Sequence, residues 1–271
     1  MSKKYFISGQ SRSGSELLCN ILAQNPRFGV TTTSGIFEVI LSVRNQWNQI
    51  AEFKATPNPE GLKRVLKGIF QSYHKSDKEV VFDKCRGWVG QLELAEEVID
   101  NDLKVLVPVR DMKQVVSSWE KLHRKQLKNN LPEYYKTDPL KAQTVRGRAE
   151  ICMSPAHPVG SAHNRILDGL DKGFSKNMFC IDYDDLTNNP KEVMKMIYEF
   201  LEEPYFEHDF DNVKQVTESN DLIFGFQDLH KIRPKVEPQE KDWKEVLGDW
   251  AIELDKYNFW IKNNKQINGD N

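Results

Sequence analysis

Lys4-Tyr5-Phe6-Ile7-Ser8-Gly9-Gln10-Ser11-Arg12-Ser13-Gly14-Ser15-Glu16-Leu17-Leu18 stands at the start of the chain and decides how the rest is read. A short apolar run, Tyr5 to Ile7, gives way to a loop bracketed by Gly9 and Gly14, and a helical apolar period then starts with Leu17, Leu18, Ile21 and Leu22. That change of period predicts strand, tight loop and helix. The two glycines let the backbone curl so that several N–H groups converge at the positive end of the helix dipole. The hydroxyls of Ser11, Ser13 and Ser15 add donors, and Arg12 adds a planar fork that grips an anion without a metal. Such a loop suits a phosphate or sulfate. The commoner phosphate loop, G-x-x-x-x-G-K-[ST], needs Lys and then a metal-binding hydroxyl after its second Gly. Ser15 and Glu16 stand in those places here, which speaks against a nucleoside triphosphatase.

Working outward, the 271 residues have a length suited to one or two domains and carry 38 basic against 40 acidic residues, a net charge of -2. No global basic field announces nucleic acid or an anionic membrane, so any anion site is local. No run approaches a membrane span, and the first strand begins without a signal-peptide apolar region, from which a soluble, cytoplasmic protein is expected. The four cysteines, Cys19, Cys85, Cys152 and Cys180, form no C-x-x-C pair and read as reduced thiols. No metal site is expected.

Strands and helices alternate from the N-terminus to residue 201, which predicts one α/β domain over 1–271, a three-layer sandwich around a central parallel sheet. Gly29 to Thr33 is the second strand, and Ser34 or Gly35 opens a helix. Glu38, in its first turn, either complements the dipole or faces the loop as a base. Pro57 to Ser72 forms a further helix. Glu79 to Phe82 forms a strand that delivers Asp83, Lys84 and Arg86 to its C-terminal end, where ligands sit in parallel sheets. Leu103 to Val109, the most apolar strand, is expected to be a central one. Arg110 follows it at once, Asp111 caps the next helix, and Ser118 lies two turns in, an arrangement for a second anion. Residues 123–158 turn polar and basic, and read as a mobile insertion that is either a lid over an anion or a solvated helix pair. Asn177 to Leu186 is the last strong strand followed by a turn, Pro190 to Leu201 a helix, and Trp243 to Trp260 a final amphipathic helix.

The assembled motifs resemble the sulfotransferases that use 3′-phosphoadenosine 5′-phosphosulfate, PAPS, whose fold is akin to that of the P-loop NTPases. Gly9 to Leu18 is similar to the family's G-x-P-R-S-G-[ST]-T-L-L phosphosulfate loop, with Ser11 for the usual Pro and Glu16 for a usual Thr. Val109-Arg110-Asp111 with Ser118 resembles the 3′-phosphate motif, Phe82-Asp83-Lys84 a strand-end lysine of bacterial and tyrosylprotein-type members, and Ile181 to Pro190 a late Y-E-D-L-x-x-x-P segment. The resemblance implies that Gly9, Ser11, Arg12, Ser13, Gly14, Ser15 and Glu16 surround the 5′-phosphosulfate, Glu16 lending its N–H with its side chain turned away. Arg110, Ser118 and Arg233 hold the 3′-phosphate, and Tyr183 touches the adenine. It implies metal-independent in-line transfer to a hydroxyl or amine of a small-molecule, carbohydrate or peptide acceptor, with the product PAP released. Lys84 and Arg12 stabilise the leaving phosphate; Glu38, Asp83, His157 or His163 takes the proton. A monomer or homodimer is equally compatible. A P-loop kinase and a non-catalytic adenine-nucleotide-binding module are the alternatives.

Overall fold

The sheet is built on the first strand. In the computed structural model, which describes residues 2–99, 102–125 and 133–260, β1 (Lys3–Ile7) lies between two parallel neighbours. With β2 (Phe28–Thr33), β3 (Val80–Lys84), β4 (Val105–Val109) and β5 (Met178–Asp182) it forms a five-stranded parallel sheet of order β2-β3-β1-β4-β5. The expectation of a parallel α/β sheet is met. The expectation that the most apolar strand is a central one is met: all of β4 is buried, between β1 and β5, and β1 is the middle strand. Burial on both faces makes an internal strand apolar, and it does not rank internal strands.

The helices are α1 (Ser15–Leu22), α2 (Ile36–Trp47), α3 (Ala51–Ala55), α4 (Pro59–Tyr73), α5 (Leu92–Val98), α6 (Met112–Lys125), α7 (Glu133–Lys136), α8 (Val145–Cys152), α9 (Pro158–Asp171), α10 (Tyr183–Asn188), α11 (Pro190–Leu201) and α12 (Trp243–Leu247). Alternation along β1 sends Tyr5 and Ile7 into one core with α1 and α11, and Phe6 into the opposite core with α2, α4 and α5. These are the outer layers of the three-layer sandwich. A third core joins α6 to α8, α12 and the C-terminal segment.

Part of the basic stretch 123–158 is tied into this third core. Arg148 donates to Glu120 through Nε at 2.8 Å and Nη2 at 2.7 Å, and Arg124 Nε donates to the same carboxylate at 2.8 Å. Burial opposes ionisation of Glu120, but the hydrogen bonds from Arg148 and Arg124 outweigh it and hold its pKa below the ordinary carboxylate value. Lys128 and Pro132 lie outside the described residues, as does the tail beyond 260.

The long C-terminal helix is a correction. Gly248 takes φ 91°, α12 stops before it, and Asp249–Tyr257 continues as 3₁₀ turns. The apolar spacing of Trp243, Leu247, Ala251 and Leu254 serves core burial without one continuous helix. Among the described residues no helix is long and apolar enough to cross a membrane.

Burial raises every cysteine thiol, Cys19 and Cys152 to about 12 and Cys85 and Cys180 to about 11. The thiolate is the nucleophile, so iodoacetamide at pH 8 should leave the native chain unlabelled and label four sites after denaturation. Rapid native labelling at any of them, read by intact mass, would contradict this packing.

Candidate functional site

At the C-terminal ends of β1, β3, β4 and β5 the chain forms a cleft of about 690 Å³. It lies where the strand order reverses direction, between the β1–β3 and β1–β4 sides. Loop 8–14 runs along its floor. A Cβ on Gly9 would meet the Pro108 carbonyl oxygen at 2.2 Å, and Gln10 N–H donates to that oxygen at 2.8 Å, so only glycine lets the loop lie on the tip of β4. Gly14 takes φ 85°, and a Cβ there would stand 2.6 Å from the Tyr183 ring. Arg12 takes the left-handed conformation, φ 61°, which is costly for a non-glycine residue and turns its side chain into the cleft. No side chain caps α1 at Gly14, so the first turn keeps open backbone donors.

Not all the loop hydroxyls face outward. Ser13 Oγ is buried and donates to Gln10 O at 2.7 Å, and Gly9 also stays beneath the surface. Ser11 Oγ accepts from Trp119 Nε1 at 3.2 Å at the cleft wall. Ser15 and Glu16 line the cleft with Arg12 and Gly14.

Two guanidiniums meet above this floor. Arg110 lies over the Tyr183 ring with its Cζ 4.2 Å from the centroid, and its Nη1 donates to Arg12 O at 3.4 Å. Arg12 donates from Nε to Ser118 Oγ at 3.0 Å and from Nη1 to the Leu229 carbonyl. Burial pushes both guanidinium pKa values below their usual range, and the charge of Arg110 pushes Arg12 down further. Two like charges partly out of water favour an anion between or beside them. Arg110 Nε, Gln114 Nε2 and Ser117 Oγ are buried without a hydrogen-bond partner among the described residues. Gln114, Ser117 and Ser118 all line the cleft. Their i, i+3, i+4 spacing puts them on one face of α6, a signal present in the sequence but carried there only by Ser118. Arg233 is exposed at the mouth, near enough to Tyr183 to lower its pKa, although burial dominates and raises it.

Lys84 departs from expectation. Its side chain, 8% exposed, forms an ion pair with Glu16, whose side chain is 11% exposed. The Glu16 carboxylate therefore turns inward to β3, correcting the expectation that it turns away. The expected bases are not brought to the cleft. Glu38 is exposed on α2 outside it. Asp83 is buried, 2.6 Å from His74 Nε2, and accepts from Trp88 Nε1 at 2.9 Å, so it fastens β3 to the α4 side of the core. His157 caps α9 through Nδ1 to Val159 N–H, and burial, aided by Arg86, lowers its pKa to about 3. His163 lies 3.2 Å from Tyr257 O. Trp88 is fully buried rather than pocket-lining.

The sequence matches the sulfotransferase domain family over residues 2–258. Among solved structures, the sulfotransferase domain of the curacin biosynthetic pathway superposes with a TM-score of 0.55 at 13% identity, covering 96% of this chain and 98% of that one. The sulfotransferase domain of the Synechococcus PCC 7002 olefin synthase gives 0.54 at 17%, covering 95% of each. Mouse sulfotransferase SULT7A1, solved with PAP, gives 0.55 at 13%, covering 99% of this chain and 86% of that one. No curated protein sequence matches the chain. A family match over nearly the whole length, on a parallel sheet that gathers a strand-tip loop, Arg12 and Arg110 in one cleft, leaves one assignment: the chain belongs to the sulfotransferase family and is a sulfuryl-transferring enzyme.

Proposed function

We propose that the cleft binds PAPS and delivers its sulfuryl group to a hydroxyl or amine of a small-molecule acceptor. The observation that carries this is the set of unsatisfied donors around two buried guanidiniums. Arg110 Nε, Gln114 Nε2 and Ser117 Oγ lack partners, and leaving such groups unpaired costs about 1–3 kcal/mol each. A phosphate is an acceptor of matching charge and valence. Arg110, Gln114, Ser117, Ser118 and Arg233 would hold the 3′-phosphate. Arg12, Gly14, Ser15 and the backbone N–H of Glu16 would hold the 5′ end against the α1 dipole. Tyr183, stacked beneath Arg110, forms the wall on which the adenosine would rest.

Bound there, the cosubstrate supplies the sulfuryl group and a phosphate leaving group. The role of the chain is electrostatic: fixed cations wait where negative charge grows on the leaving oxygen, and they need no reorganisation when the reaction occurs. Arg12 has that role; Lys84, paired with Glu16 and outside the cleft lining, would join it by releasing that carboxylate. Mouse SULT7A1 was solved with PAP, and retinol dehydratase, at 12% identity, with androsterone and inactive cofactor PAP, which supports a nucleotide of this kind beside a small acceptor. The kinase alternative lacks both the lysine after Gly14 and support from the family match.

Isothermal titration with PAP tests the reading first. Saturable one-to-one binding is expected, followed by transfer of labelled sulfate from PAPS to an acceptor. Heat with ATP and Mg²⁺ but none with PAP would end it.

A further inference from the structure

The segment between α11 and α12 brings to the cleft a histidine, backed by a carboxylate, that the resemblance does not assign. His230 Nδ1 lies 2.5 Å from Asp221 Oδ1, and the His230 backbone N–H donates to Asp221 Oδ2 at 3.0 Å. The Asp221 carboxylate is thus fixed through both oxygens. Burial works against its charge, but the hydrogen bonds from His230 outweigh that and hold its pKa below the ordinary value. An ionised carboxylate can only accept, so Nδ1 carries a ring proton, and in the neutral imidazole the lone pair is then on Nε2. Nε2 has no hydrogen-bond partner among the described residues. Phe224 packs edge-on against the imidazole at 5.6 Å, and both rings line the cleft.

Position matters as much as tautomer. The carbonyl of Leu229, the residue before His230, accepts from Arg12 Nη1, and His230 and Arg12 line the same cleft. Of the other acidic groups considered, Glu38 and Asp83 lie outside the cleft and Glu16 is paired with Lys84. A base hydrogen-bonded to an orienting carboxylate and open at its other nitrogen is the arrangement that activates a hydroxyl.

We propose that His230 takes the proton of the acceptor, with Asp221 as the positioning residue that fixes its tautomer; this rests on the sulfuryl-transfer reading above. As the acceptor oxygen forms its bond to sulfur, the bond from sulfur to the bridging oxygen breaks and its electron pair stays on the 5′-phosphate. The acceptor's proton passes to Nε2 and leaves to solvent after product release.

Transfer of labelled sulfate from PAPS to 4-nitrophenol, phenol, benzyl alcohol and water, with the full chain, tests this. At pH 8, where the transfers are run, 4-nitrophenol is largely ionised and needs no base. His230→Ala should lose about 100-fold in turnover on phenol and benzyl alcohol, the usual size of a general-base contribution, and less than about 5-fold on 4-nitrophenol. Asp221→Asn should show the same dependence on acceptor acidity, and added imidazole should restore part of the activity of His230→Gly. PAP affinity, measured by calorimetry, should stay unchanged in all three variants. An equal loss on every acceptor, no loss on any, or a wild-type chain that binds PAP yet transfers to none of the four overturns the His230 assignment alone. Absence of PAP binding to the wild type overturns the nucleotide reading beneath it.

Discussion

Replacing Arg110 by Ala is expected to weaken PAP binding by about two decades, or roughly 3 kcal/mol, the cost of removing one member of a buried, hydrogen-bonded charge pair. Arg110 is held by the Tyr183 ring and the Arg12 carbonyl, and neither neutralises it. Its Nε has no partner, and burial disfavours its charge. A bound phosphate would satisfy the fork through parallel N–H donors, an interaction that a lysine cannot copy. Arg110→Lys should therefore recover less than half of the lost binding free energy. The fold should survive both changes, because the guanidinium carries no ion pair in the described structure. Thermal denaturation without nucleotide should give midpoints close to wild type. Added PAP should raise the wild-type midpoint by mass action and barely move that of Arg110→Ala. If Arg110→Ala bound PAP as tightly as wild type, the 3′-phosphate would have to lie elsewhere and the nucleotide orientation proposed here would be wrong.

The sequence discloses the parts of this site that depend on chain-local patterns. Tyr5 to Ile7, Val105 to Val109 and Met178 to Asp182 read as strands because β-branched and apolar residues cluster between polar punctuation, and each delivers its next residues to one sheet edge. Arg12, Lys84, Arg110 and Tyr183 were therefore legible as strand-tip residues. Strand order was not, because whether β1 or β4 lies in the middle is decided by pairing between segments far apart. The same limit applies to chemistry. Lys84 and Glu16 are 68 residues apart and nothing near either one announces the other. Asp221 and His230 lie only nine apart, but without a helical or strand period no rule brings their side chains together. Gln114 and Ser117 were within reach of the helical-face argument that had found Ser118. Asp83 misled for a definite reason: charge at a strand tip reads as functional, whereas His74 and Trp88 convert this carboxylate into a core fastening.

Lys84→Met is expected to reduce turnover by about 10³, the usual cost of removing one donor aimed at developing negative charge, and to leave PAP affinity within a few-fold. In this chain that experiment has a second effect, because Lys84 also neutralises Glu16. Both side chains are about nine-tenths buried, and removing one partner of such a pair strands the other charge at a cost of about 3–5 kcal/mol. Lys84→Met alone should therefore be distinctly less stable as well as slow. Glu16→Thr, which installs the residue usual at this loop position in the sulfotransferases that it resembles, removes the stranded carboxylate. The double variant Lys84→Met/Glu16→Thr should regain most of the lost stability and none of the lost turnover. The pair would then be coupled in folding, with only the lysine acting on the leaving phosphate. Glu16→Thr by itself should bind PAP more tightly than wild type, because removing the carboxylate leaves the Lys84 charge uncompensated beside the loop and makes the site more positive towards an anion. Two outcomes would refute this account. If the double variant recovered turnover, the slow rate of Lys84→Met would be a folding defect. If Lys84→Met lost affinity as steeply as turnover, Lys84 would be holding the ground state and not the transition state.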